Sequence, residues 1–229
     1  MLERIIEEAP RFFNFYNMLF LLKAMLTTFA LSAIGCLIGF VVGFVLVICR
    51  RTTGWKLFPI RALAMFFVEF FRRVPLLVVL MLVFFFLRFM GTDSSIFSVG
   101  LFSVCFMSTA FIAEIIRAGL ESVHQNQWDT AMAMNFNLLQ SLYLVILPQA
   151  WKVILPPVFS FFLVFIKDTA LASQIGVVEL TYAGKMLNNK GFSAALAFGT
   201  ILILYFILSY PLARFGKWME VRVATSRNR

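Results

Sequence analysis

Five long apolar runs, each flanked by charge or turn residues, constrain this chain more than any other feature. They cover roughly residues 20–49, 57–89, 96–116, 151–172 and 192–216. A helix needs about 20 apolar residues to cross the hydrocarbon core of a bilayer. In water these runs would need burial on every side, and with 62% hydrophobic and only 14% charged residues the chain lacks the surface to cover them. The expected fold is all-α, a polytopic membrane protein of about five transmembrane helices. At 229 residues there is no room for a large soluble domain, so residues 1–229 are expected to form a single membrane domain.

The net charge of +9 would suit nucleic acid, but its placement does not. Arg50, Arg51, Lys56 and Arg61 follow the first run. Lys152 follows a polar loop, and Arg214, Lys217, Arg222, Arg227 and Arg229 follow the last run. The opposite ends are poorer in base, and Gly91 to Ser95 carries only Asp93. Alternation of this kind follows the positive-inside rule and places the N-terminus outside and the C-terminus in the cytoplasm. No phosphate-reading motif accompanies the charge. The cysteines, Cys36, Cys49 and Cys105, lie within apolar runs without metal-ligand spacing and read as small packing residues. The N-terminal stretch is acidic before it is apolar, unlike a signal peptide, and reads as an amphipathic lead-in that stays attached.

Within the first run, Gly35, Gly39 and Gly43 recur every four residues on one helix face. That pattern suits a close helix–helix seam, although membrane helices also tolerate glycine at random. Lys23 can snorkel to the interface. The second run is interrupted by Arg72-Arg73-Val74-Pro75, and proline disfavours helix in the residue before it. A break is therefore expected near Arg73–Pro75. Charge at membrane depth normally faces a cavity or a partner, and broken helices are where transporters hold solutes. The plainer alternative is that Glu69 pairs with Arg72 or Arg73 along the helix.

Glu114, Arg117 and Glu121 share one face of the third run, as an ion-pair ladder or as a polar lining. His124, the single histidine, has no second ligand nearby and reads as an interfacial polar residue. The polar segment of about 123–148 reads as helix–turn–helix. Gln127 to Met134 suits a short helix, Asn135 a left-handed reversal, and Leu138 to Leu147 a second helix stopped by Pro148. Trp128, Ala131, Met132 and Phe136 recur at helical steps, as an apolar face for a partner's groove or for lipid headgroups. Lys167-Asp168-Thr169 closes the fourth run as a polar site or as a snorkelling pair. Ser173 to Gly191 suits a short external helix or a re-entrant turn.

Several of these motifs together resemble the inner-membrane permeases of ABC transporters, in the polar amino-acid group that includes histidine and glutamine permeases. The family's cytoplasmic signature is Glu-Ala-Ala, three residues, Gly, nine residues, then Ile-x-Leu-Pro. The same spacing here reads Asp129-Thr130-Ala131, Asn135 and Val145-Ile146-Leu147-Pro148. Ala113 to Gly119, Leu147 to Ala150, Lys167 to Ser173 and Ile175-Gly176 resemble further signatures. Phe71 to Leu77 resembles Phe-Arg-Gly-Thr-Pro-Leu-Leu, with Arg73 and Val74 in place of Gly and Thr.

The resemblance implies an importer in a bacterial inner membrane. Its path would be built from two permease subunits, identical or paralogous. Two cytoplasmic ATP-binding subunits would dock on the polar loop, which acts as a cytoplasmic coupling loop, and an extracytoplasmic solute-binding protein would deliver the amino acid. The docking residues would be Gln127, Trp128, Asp129, Ala131, Met132, Asn135 and Pro148. Arg72 would hold the solute carboxylate, Asp168 its ammonium, and Thr169 a further hydrogen bond, with Glu114 and Arg117 lining or bracing the path. Arg73 favours an acidic side chain on the solute. The chain has no Gly-x-x-x-x-Gly-Lys-Ser/Thr loop and no catalytic or cofactor motif, so ATP hydrolysis belongs to a partner. A secondary transporter or channel would explain the spans and buried charge, but not the spaced loop. A membrane scaffold would tolerate changes at Arg72 and Asp168.

Overall fold

The computed structural model describes residues 2–51 and 54–225. Among these residues every regular element is helical. In chain order they are α1 (Leu2–Phe12), α2 (Phe15–Arg51), α3 (Phe58–Phe71), α4 (Leu76–Phe89) and α5 (Ile96–Glu121). There follow α6 (Gln125–Ala133), α7 (Leu138–Gln140), α8 (Leu147–Asp168), α9 (Leu180–Asn189) and α10 (Ala194–Thr225). A π turn, Ser141–Ile146, joins α7 to α8, and a 3-10 turn, Thr169–Ile175, follows α8.

Four stretches are long and apolar enough to cross a membrane: Phe15–Arg51, Ile96–Glu121, Leu138–Ile175 and Ala194–Arg222. A broken pair, Trp55–Phe71 and Leu76–Phe89, meets at 114° and makes a fifth. These match the five apolar runs. The break falls at Arg72 to Pro75, as the proline predicts. Pro75 is extended (φ −63°, ψ 141°) and caps α4, since it cannot donate a helical hydrogen bond.

Pro148 corrects the sequence reading. It does not stop the second arm of the polar loop. The arm runs on through the π turn into α8, so that residues 138–175 form one continuous helical stretch. Pro148 is the second residue of α8, where the wider turn just before it absorbs the missing N–H. Beyond α8, Gly176 is left-handed at φ +94° and reverses the chain before the ten-residue α9. The mixed segment 173–191 is thus a tight turn followed by a true helix.

The residues form two compact units, Met1–Gly35 with Pro75–Val104 and Leu163–Ala213, and Cys36–Val74 with Cys105–Phe162 and Arg214–Arg229. In the first, Phe12 is fully buried against Leu21, Ala24, Leu180, Leu187 and Ile201. A clip of polar bonds holds α1 there. Glu8 accepts from Arg4 Nε and from the Ser193 amide, each at 2.6 Å. Glu179 is fully buried and caps α9, accepting from the amides of Thr181 (2.9 Å) and Tyr182 (2.7 Å) and from the Tyr205 hydroxyl (2.9 Å).

The glycine stripe is a seam with α5. Apolar side chains gain little by leaving lipid for protein, so close packing of small residues decides which helices associate. In the first unit, a Cβ on Gly35 would fall 2.2 Å from Val104 Cγ1. In the second, one on Gly39 would fall 2.3 Å from Ser108 Oγ, and one on Gly43 would fall 3.0 Å from the Ala113 amide nitrogen. The second unit is also tied by Phe71, which stacks on Phe106 with ring centres 5.3 Å apart. Leu63 and Phe66 in this unit, and Leu82, Phe85, Leu202 and Phe206 in the first, point outward. Such surfaces need lipid or an apolar partner to cover them.

Candidate functional site: a surface hairpin and a charged cavity

Both parts of the site lie in the second unit. The hairpin begins where His124 Nδ1 accepts from the Asn126 amide at 3.2 Å and caps α6. Asn135 ends that arm in the left-handed conformation, φ +57°. Asparagine tolerates this better than other residues with a Cβ. Asn137 and Gln140 then form a reciprocal capping box, both bonds at 2.9 Å, and start the second arm. The arms are held together inside by Ala131, Leu142 and Ile146, all buried, and outside by Gln149, which donates to Gln127 Oε1 at 3.1 Å. Outward-facing Met132, Met134, Leu139, Tyr143 and Leu144 are all more than half exposed.

A cavity of about 360 Å³ is lined by Arg50, Arg51, Glu69, Glu114, Arg117 and Glu121, with two apolar residues. The ladder on α5 is formed. Arg117 grips Glu114 with Nε at 3.1 Å and Nη2 at 2.5 Å, and also donates to Glu121. Glu114 is shared further, with Arg72 Nη1 at 3.5 Å and Arg50 Nη1 at 3.6 Å. Glu121 is shared with Arg51 Nη2 at 3.9 Å. Glu69 is taken by Arg73 at 2.8 Å. Among the described residues, Arg50, Arg51, Arg72 and Arg117 are therefore balanced only by Glu114 and Glu121. Arg50 Nη1 is buried and makes no hydrogen bond. Positive charge in excess of its counter-ions, beside a cavity, attracts a carboxylate or another anion.

The hairpin and the cavity are in contact. The Arg51 guanidinium lies over the Trp128 ring, 4.5 Å from its centre, in cation–π geometry.

A model of the family described as "Binding-protein-dependent transport system inner membrane component" matches residues 51–224. The chain belongs to that family. The "Probable glutamine ABC transporter permease protein GlnM" of Bacillus subtilis is 30% identical over 199 residues, covering 87% of this permease and 91% of that relative. The glutamine transport system permease protein GlnP of Escherichia coli is 29% identical over 205 residues, 89% of this chain and 92% of that one. A solved structure described as an amino acid ABC transporter with histidines superposes at a TM-score of 0.81 and 27% identity, covering 91% of this permease and 98% of that chain. The MetNI methionine ABC transporter in inward-facing conformations shares the fold at a TM-score of 0.76 and 21% identity, covering 92% and 99%. This permease is a multi-pass membrane component of a transport system, and not itself an enzyme.

The structure brings Arg72, Glu114 and Arg117 into one cluster and puts Asp168 and Thr169 in the other unit. At the break Arg73 pairs with Glu69, as in the plainer alternative, and Arg72 reaches Glu114. Thr169 is fully buried. Its hydroxyl donates to Ile166 O at 2.7 Å and sits 3.4 Å from Ser32 Oγ. Asp168 is half-buried at the end of α8. In the hairpin, Ala131 points inward and leaves the expected outer face to Met132, while Trp128 is half-covered by Arg51. Gln127, Asp129 and Pro148 are exposed, as is Asn135.

Sequence reasoning missed Arg50 and Arg51, read only as a basic flank. The signal was the glycine seam, which aligns the end of α2 with the ladder on α5. It also missed the capping box, present as Asn137-x-x-Gln140, and the buried acceptor Glu179.

Proposed function

We propose that this chain is the permease subunit of an ATP-driven importer for a polar amino acid. It acts as a single permease domain in a bacterial inner membrane, N-terminus outside and C-terminus cytoplasmic. It works with a second permease subunit, identical or paralogous, two cytoplasmic ATP-binding subunits, and an extracytoplasmic solute-binding protein. The observation that carries this reading is the near full-length match to relatives named as glutamine ABC transporter permeases. The built hairpin, with an exposed apolar face beside a charged cavity, supports it.

The hairpin docks on an ATP-binding subunit through Gln127, Trp128, Asp129, Met132, Pro148 and the turn at Asn135, braced from within by Ala131. Movement of that subunit shifts the spans between inward- and outward-facing states, provided it binds the two states unequally. Arg72 offers the solute carboxylate a charged, planar fork, with Glu114 and Arg117 bracing it. Asp168, in the other unit, is a separate candidate contact for an ammonium group, and Thr169 fixes the end of α8 that carries it. The positive excess of the cluster favours a solute with an acidic side chain.

The test is uptake into liposomes holding the permease, its ATP-binding subunits and the binding protein, over a panel of radiolabelled amino acids. Uptake that needs both ATP and the binding protein is expected. Arg72→Ala should lose uptake by about 30-fold or more, the effect of removing a 2–5 kcal/mol charge contact, while ATP-binding subunits stay bound. Uptake that follows an ion gradient without ATP would instead make this a secondary transporter.

A further inference from the structure

We infer that Arg51 is the positioning residue that links the hairpin to the break between α3 and α4. The inference rests on the reading of the hairpin as the docking site for an ATP-binding subunit. It concerns a residue which that reading leaves without a role.

A chain of direct contacts runs through the second unit. Trp128, on the first arm of the hairpin, stacks under the Arg51 guanidinium at 4.5 Å. Arg51 Nη2 is 3.9 Å from Glu121 Oε1. The other oxygen of Glu121 is bonded by Arg117, and Arg117 grips Glu114. Glu114 Oε1 is 3.5 Å from Arg72, the residue that follows α3 at the break.

Its geometry offers discrete alternatives, which a link between two states requires. Arg117 holds hydrogen bonds to both carboxylates, whereas the contacts of Arg51, Arg50 and Arg72 at 3.9, 3.6 and 3.5 Å are ion pairs too long for hydrogen bonds. The two carboxylates are therefore strongly held from one side and loosely held from the other. A small displacement of Trp128 carries Arg51 either toward Glu121 or away from it. If Arg51 closes on Glu121, Arg117 is freed to bind Glu114 alone. If it leaves, Arg117 is divided between the two. Either change alters the field at Arg72.

The position calls for arginine. One guanidinium presents a flat face to the indole and an edge to the carboxylate at the same time, which an ammonium cannot do. An ordinary basic flank, holding lipid phosphate or setting topology, would need only the charge.

The experiment uses the complete complex in proteoliposomes, with loaded binding protein, and reads three quantities. These are co-purification of the ATP-binding subunits, ATP hydrolysis, and solute taken up per ATP hydrolysed. Arg51→Gln and Arg51→Lys should both retain the ATP-binding subunits and lower uptake per ATP by about 2- to 30-fold, the usual range for residues along a coupling path. Glu121→Gln should give a similar loss, and the double variant Arg51→Gln/Glu121→Gln no greater loss than either alone. Trp128→Phe, which keeps a weaker aromatic face, should lose less than Trp128→Leu.

A wild-type ratio in Arg51→Gln would overturn the proposal. So would full rescue by lysine, which would reduce Arg51 to a point charge. Loss of the ATP-binding subunits in Arg51→Gln would make it a docking residue and also overturn it. If Arg51→Gln fails to accumulate in the membrane, Arg51→Lys and Glu121→Gln decide the matter by the same ratio. ATP-independent uptake by the unaltered complex would sink the importer reading itself, a result no Arg51 variant can mimic.

Discussion

Replacing Gly39 by alanine adds a single carbon where the α2–α5 seam has no room for it. The new Cβ would lie 2.3 Å from Ser108 Oγ and 2.8 Å from both Ser108 Cβ and the Thr109 amide nitrogen. A serine hydroxyl can rotate, but the Thr109 backbone cannot, so α2 and α5 must separate by several tenths of an ångström. Overpacking of this kind costs about 1–3 kcal/mol. The same substitution brings up to about 1 kcal/mol of helix propensity, which blurs a direct comparison with the native chain. Gly199 provides the control, because it lies in α10 with no atom within 4 Å of its added Cβ. Subtracting Gly199→Ala from Gly39→Ala cancels the propensity and leaves the seam, about 1–3 kcal/mol. At about 2–4 °C per kcal/mol for a chain of this size, Gly39→Ala should melt roughly 2–12 °C below Gly199→Ala. Gly43→Ala, whose nearest contacts lie at 3.0–3.3 Å, should fall between them. The assay is thermal unfolding of purified protein in detergent, followed by tryptophan fluorescence. The seam also sets the reach of Arg50 and Arg51 to Glu114 and Glu121, so uptake should fall with it. A Gly39→Ala variant that melts at or above Gly199→Ala would refute the reasoning.

Three further perturbations test other parts of the fold. Asn135→Val should destabilise the hairpin by about 1–2 kcal/mol, seen as faster limited proteolysis within 125–146, while Asn135→Gly leaves the rate unchanged. Glu179→Ala leaves the Thr181 and Tyr182 amides and the Tyr205 hydroxyl without their acceptor, and should cost about 1–3 kcal/mol in thermal unfolding. Glu179→Gln, which keeps an acceptor oxygen, should cost less. The hydrogen bond from Arg4, then that from the Ser193 amide, holds the Glu8 carboxyl below its ordinary value. Its lowered folded value means that the α1 clip is complete above the ordinary carboxylate range and is lost as pH falls through that value. Hydrogen exchange in α1 should therefore rise on acidification in the native chain, and Glu8→Gln should remove that dependence.

Five membrane-crossing stretches, the break at Pro75, the left-handed turn at Asn135 and the glycine seam were all legible in the sequence. Each is written in local terms: apolar run length, the missing N–H of proline, tolerance of positive φ, and a four-residue repeat. Pro148 was misread because a proline marks both the end of one helix and the first turn of another. Only the π turn before it shows which applies. The partners of charge were beyond local reading. Glu69 stands three and four residues before Arg72 and Arg73, and spacing alone does not choose between them. Arg72 is drawn instead to Glu114, 42 residues away along the chain, once α3 and α5 pack through Phe71 and Phe106. Arg50 and Arg51 became part of a cavity, and Thr169 was buried against Ile166 and Ser32, for the same reason. Hydropathy and backbone preference act along the chain and are fixed residue by residue. Ion pairing and burial depend on how each helix is rotated and registered against its neighbours, which only the tertiary structure decides.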